Sequence, residues 1–115
     1  MAIQTSRFTQ VDVTNFTAIS TVGAATFNGQ QGTVTTEALS TAVGATYTFT
    51  LTNASIAAAS NVYVSVGKGT ATTGNPVVTW VTPAAGTCVV IIQNINATLA
   101  LNGTLTLSFF VTNLV

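Results

Sequence analysis

Charge is what this sequence has least of. Four of its 115 residues carry any, Arg7, Asp12, Glu37 and Lys68, and they sum to zero. That is 3% of the chain, where soluble domains typically carry about 25%. Two cations cannot neutralise a row of phosphates, which excludes nucleic acid as a partner. Electrostatic docking on an anionic membrane is excluded on the same ground. Histidine is absent, and with it go the usual general base and the usual metal ligand. The single cysteine, Cys88, cannot form an intrachain disulfide. Lying in the apolar run Cys88–Ile92, it reads as a reduced, buried and inert thiol, in keeping with synthesis in a reducing cytoplasm. No apolar run approaches the ~20 residues that span a bilayer. The opening Met-Ala-Ile-Gln-Thr-Ser-Arg-Phe also lacks the basic-then-apolar layout of a secretory leader. No membrane partner is expected.

What chemistry remains is thin. Asp12 and Glu37 are the only carboxylates, too few for a Ca²⁺ cage of six to eight oxygens without many carbonyls. A lone Glu in a polar stretch is ordinarily a solvated strand position. Ser and Thr are plentiful, but a nucleophile needs an activating neighbour, and Lys68 is the only amine side chain. Gly67-Lys68-Gly69-Thr70 faintly echoes a phosphate loop; however, position 62 is Val where that motif needs Gly, and no helix pattern follows. The chain therefore reads as a non-enzyme with no cofactor and no metal. Trp80, Tyr63 and Tyr47 could stack on sugar, yet aromatic residues in strands usually belong to a core. Sequons at Asn15, Asn53, Asn96 and Asn102 are what a Thr- and Asn-rich chain contains by chance.

Against these absences stands one strong pattern. In Ala45–Asn53, Tyr47, Phe49 and Leu51 alternate with Thr46, Thr48, Thr50 and Thr52. Only an extended strand puts alternate residues on opposite faces, so this one has an apolar face for a core and a hydroxyl face outside. The pattern returns in 104–113, where Leu105, Leu107, Phe109 and Val111 form the apolar face, and both copies end in Thr-Asn. Val62, Val64 and Val66 alternate with Tyr63 and Ser65. Thr87–Gln93 is apolar on both faces, Val89 and Ile91 on one, Cys88, Val90 and Ile92 on the other, so it reads as buried twice, once by its own core and once by something else. Shorter strands are read at 16–20, 24–27, 33–39 and 77–81. The segment 67–75 is a loop by its Gly and Thr content. Asn28-Gly29 and Asn102-Gly103 predict two-residue hairpins with both central residues at positive φ. About eight strands, no helix and no linker give an all-β fold, an antiparallel, jelly-roll-like β-sandwich over 15–115. Residues 1–14, aperiodic and holding half the charges, are an N-terminal arm or an edge strand.

Several of these stretches resemble a known family. Gly32-Thr-Val-Thr-Thr-Glu-Ala-Leu39, Val43-Gly-Ala-Thr-Tyr-Thr-Phe-Thr-Leu-Thr-Asn53, Pro83-Ala-Ala-Gly-Thr87 and the run from Asn94 to Phe109 look like a β-rich module of virion proteins in tailed bacteriophages. Many of those phages infect marine and cyanobacterial hosts. The resemblance spans roughly residues 32–111, and it departs near position 96, where relatives tend to place His and this chain has Asn96. It implies assembly without catalysis, so no active-site residues carry over.

The expected function is accordingly that of a capsid decoration, or cement, protein: a homotrimer on the virion's outer surface, bound to itself and to the major capsid protein or other virion proteins. The alternative is a tail-fibre or receptor-binding module that recognises a host surface glycan. The chain opens at Met1 with no shaft repeat or coiled coil ahead of the domain, which favours the first. The expected contacts are the supposed outer face of Cys88, Val90 and Ile92, or the face near Phe110, which points away from Leu105, Leu107, Phe109 and Val111. Within the arm, Ile3, Phe8 and Val11 would supply apolar anchors and Arg7 an ion pair with a capsid neighbour.

Overall fold

A computed structural model describes residues 16–113. Among the described residues, ten strands follow one another without a helix: β1 (Phe16–Ile19), β2 (Ala24–Thr26), β3 (Gln31–Thr35), β4 (Leu39–Thr41), β5 (Thr46–Thr52), β6 (Asn61–Lys68), β7 (Pro76–Ala84), β8 (Thr87–Asn94), β9 (Leu101–Gly103) and β10 (Leu105–Thr112). They form a four-stranded sheet in the order β1-β3-β10-β6, a second in the order β2-β5-β8-β7, and a two-stranded ribbon of β4 and β9. The expectation of an all-β chain holds. The count is ten rather than about eight, because the stretch read as one strand over 33–39 is cut by Thr36–Ala38, and β9 was not read as a strand at all.

The pairing is mixed, not purely antiparallel. β1 runs parallel to β3, and β2 parallel to β5. The reason lies in the route of the chain, which leaves one sheet after β1, visits the other for β2 and returns for β3, so the returning strand points the same way. Of consecutive strands, only β7 and β8 pair as neighbours within a four-stranded sheet, turning through Ala85-Gly86.

Both long sheets turn their apolar alternates toward a shared core. Phe49, Leu51, Cys88, Val90 and Ile92 come from one; Val34, Leu105, Leu107, Phe109 and Val111 come from the other. The Phe49 and Phe109 rings meet across the gap at 5.9 Å, and Phe27 packs its ring edge-on against Phe109 at 6.0 Å. Burying such a ring is worth about 1.5–3 kcal/mol. The inner faces predicted for β5 and β10 are thus the observed ones.

Polar groups heal the places where the ladders stop. Thr36, buried between β3 and β4, accepts a hydrogen bond from the Leu105 amide at 2.8 Å and donates to its neighbour's carbonyl. Asn53 and Asn94 are wholly buried at the ends of β5 and β8. The Asn53 amide donates to the Gly29 carbonyl and accepts from the Ser55 N–H. Asn94 accepts from the Asn75 and Asn96 N–H groups and donates to the carbonyls of Thr41 and Leu99. Asn113, just after β10, donates to the Ser55 carbonyl and pairs with the Ser60 hydroxyl. The two Thr-Asn strand ends noted in the sequence therefore converge on one loop, 53–60, which forms no helix. Among the described residues, no buried side-chain nitrogen or oxygen lacks a partner.

Neither Asn-Gly pair makes the hairpin expected of it. Asn28 and Asn102 do not have positive φ. Asn28-Gly29 carries the chain from one sheet to the other, and Asn102-Gly103 ends β9 where the strand kinks into β10. Gly103 is still required there: its φ is 67°, and an added Cβ would sit 2.8 Å from the Ala71 amide nitrogen. The turn with two positive φ values occurs instead at Val22-Gly23, at 51° and 75°, closed by reciprocal bonds between Thr21 and Ala24.

Candidate functional site

The residues singled out from the sequence fall into three groups. Ile3, Arg7, Phe8 and Val11, together with the arm they belong to, lie outside the described residues. Phe110 does point outward, with 37% of its surface exposed. Cys88, Val90 and Ile92 do not, and their assignment to an outer face is corrected. In the β5–β8 register Leu51 faces Cys88, Phe49 faces Val90 and Tyr47 faces Ile92. Directly opposed residues share a face, so the core side of β5 draws these three inward with it, and all are fully buried. Burial also raises the Cys88 thiol above its ordinary pKa, which leaves it protonated and unreactive.

The outer face of β8 is the other set, Val89, Ile91 and Gln93, and β7 adds an unexpected residue to it. By simple alternation from Val78, which packs on the core, Trp80 would point inward. A β-bulge at Thr79 shifts the register so that Trp80 stands opposite Ile91 and Val81 opposite Val90. The extra residue turns Trp80 out to 54% exposure and restores Val81 to the core side. The Thr79 hydroxyl holds the bulge by donating to the Ile91 carbonyl at 3.1 Å. Trp80, Ile91, Val89 and Val77 make an apolar stripe along this sheet, bordered by the Thr46, Thr48, Thr50 and Thr52 row of β5. The sequence's one trace of the bulge is the odd step between the inward Val78 and the inward Val81.

The second exposed face belongs to the other sheet. In one row across β6, β10 and β3, Phe110 lies directly between Tyr63 and Gln31. The Tyr63 and Phe110 rings stack with centroids 6.4 Å apart and planes 28° apart. Tyr63 is 60% exposed, so of the three aromatic residues assigned to a core, Tyr63 and Trp80 are on the surface. The next row holds Ser65 and Ser108, and an open hollow of about 420 Å³ lies over these side chains.

One polar cluster stands apart from both faces. The Glu37 carboxylate accepts from the Ser20 hydroxyl at 2.5 Å, from the Tyr47 hydroxyl at 3.0 Å and from the Gly23 N–H at 2.8 Å. It ties down the turn that carries Val22. Burial pulls the Glu37 pKa upward, but the bonds it accepts outweigh that and leave it below the ordinary value. Burial, reinforced by Glu37, pushes Tyr47 up to about 12. These shifts stabilise a tether and supply no base near neutral pH. Gly67-Lys68 ends β6 as plain strand, and Thr70 bonds Thr104 rather than opening a phosphate loop.

No family model, no curated protein and no solved structure matches the chain. The resemblance to phage virion modules rests on its residues alone.

Proposed function

We propose that the protein is a bacteriophage virion structural protein, a capsid decoration or cement protein that sits on the outer capsid surface as a homo-oligomer, a trimer, and binds the major capsid protein. The reading starts from the family resemblance over residues 32–111. The structural observation that carries it is Trp80. A bulge at Thr79 takes the chain's one tryptophan off the core side and sets it beside Ile91 and Val77 on an uncharged sheet face. A large apolar stripe of this kind is an interaction surface, since burying it gains free energy that the isolated chain forgoes. Near-zero charge removes the repulsion that keeps soluble monomers apart. In this role the two facing sheets act as a jelly-roll-like sandwich, a rigid slab with usable surfaces on both sides.

Sedimentation velocity at micromolar concentration tests the association. The expected result is a trimer for the wild type and a smaller species for Trp80→Asp; a monodisperse wild-type monomer would overturn it. Mass-spectrometric counting of the source particle tests the location, with a copy number in the hundreds expected of cement and only a handful of a fibre.

A further inference from the structure

We propose that the Tyr63–Phe110 shelf binds the ring of a neutral saccharide. This goes beyond the decoration reading and uses the opposite sheet, so the two stand or fall separately.

The shape comes first. Two stacked rings and the Gln31 amide lie in a single row, Ser65 and Ser108 occupy the row beside it, and strand pairing fixes every position. The hollow above them, about 420 Å³, falls within the ~300–1,000 Å³ range of small-ligand sites. A site held on three paired strands is preorganised and need not be ordered on binding.

The chemistry then selects the ligand. None of the residues lining the hollow is charged, so the ligand is neutral. The shelf offers an apolar plate and, at its rim, one carboxamide and three hydroxyls, including that of Tyr63. A sugar ring has the matching halves: C–H bonds on one face, which pack on aromatic rings, and hydroxyls around its edge, which exchange hydrogen bonds with amide and hydroxyl groups. A purely apolar peptide or lipid chain would bury Gln31, Ser65 and Ser108 without partners, at a cost. A nucleotide would bring phosphates, and Lys68 stands five residues along β6 from Tyr63, roughly 16 Å at ~3.3 Å per residue.

Saturation-transfer difference NMR on the full chain tests this, with the methyl glycosides of glucose, galactose, mannose and N-acetylglucosamine as probes. At least one should receive saturation, most strongly at its ring C–H protons, with a dissociation constant in the millimolar range. Tyr63→Ala should weaken it at least tenfold, Gln31→Ala several-fold, and Tyr63→Phe least. Trp80→Ser, on the other sheet, should leave it unchanged. Circular dichroism checks that each variant is folded; both Tyr63 variants change an exposed side chain. The proposal is overturned if no glycoside receives saturation, if Tyr63→Ala binds like wild type, or if Trp80→Ser abolishes the signal equally. Should Tyr63→Ala alter sedimentation while no glycoside binds, the shelf is a contact between copies and the proposal is likewise overturned.

Discussion

At φ 51°, Val22 occupies a backbone region that β-branched residues avoid, and it does so with 90% of its surface in water. Nothing in its own burial compensates for that strain, of order 1–3 kcal/mol. The compensation comes from its neighbours: Gly23 supplies the second positive φ, and its N–H is held by Glu37. A turn with two positive φ values is where Asn-Gly is at home. Val22→Asn should therefore relieve the strain and stabilise the fold by about 1 kcal/mol, a rise in melting temperature of roughly 4 °C for a domain of this size. Calorimetry checks it, and an unchanged or lower melting temperature would show that the valine is not strained. The same residues explain why this turn escaped the sequence. Val22-Gly23 has the conformation without the dipeptide; Asn28-Gly29 and Asn102-Gly103 have the dipeptide without the conformation, because the cross-sheet route and the β9–β10 kink decide their geometry.

Strands show the same division between what composition reveals and what only pairing reveals. The inner faces of β5, β6 and β10 were legible because strict alternation needs no knowledge of a partner. The inner face of β8 was not, because both of its faces are apolar and only its register with β5 decides which one is buried. Trp80 was illegible for a related reason: one extra residue at Thr79 reverses every later assignment on the strand. The exposed stripe and the aromatic shelf, the two candidate surfaces, were thus only half visible, through Phe110. Asn53 showed only as a repeated Thr-Asn strand end and buried Asn94 not at all, since their role is to close loops whose positions are set by tertiary structure. Kinks can be tested as elements. Where β9 bends into β10, Gly103 lies under the backbone of Thr70 and Ala71, so Gly103→Val should destabilise by more than the ~1 kcal/mol of an ordinary Gly substitution. A denaturant midpoint equal to wild type would show that the bend does not need glycine.

For the molecule as a whole, scarcity of charge makes its response to pH unusually simple. With no histidine, nothing titrates by side chain near neutrality, and stability should be flat there. Glu37 is held below its ordinary pKa, so its contribution is complete above the ordinary carboxylate range, ~4.3, and is lost as pH falls through the lowered value. Tyr47 is raised to about 12; its contribution is complete below ~10 and is lost as pH rises through 12. Melting temperature measured against pH should show a plateau with an acid limb that Glu37→Gln diminishes and an alkaline limb that Tyr47→Phe diminishes. Limbs unchanged in both variants would place the titrating groups elsewhere.

The place of β10 has a consequence for how the chain comes to be folded. It lies between β3 and β6, closing ladders to partners 37 to 79 positions earlier in the sequence. Until Leu105–Thr112 has emerged from the ribosome, β3 and β6 have no shared neighbour, and the core lacks Leu105, Leu107, Phe109 and Val111. The nascent chain must therefore wait with open edges on β3 and β6, and the two are joined into one sheet only by a strand made after both.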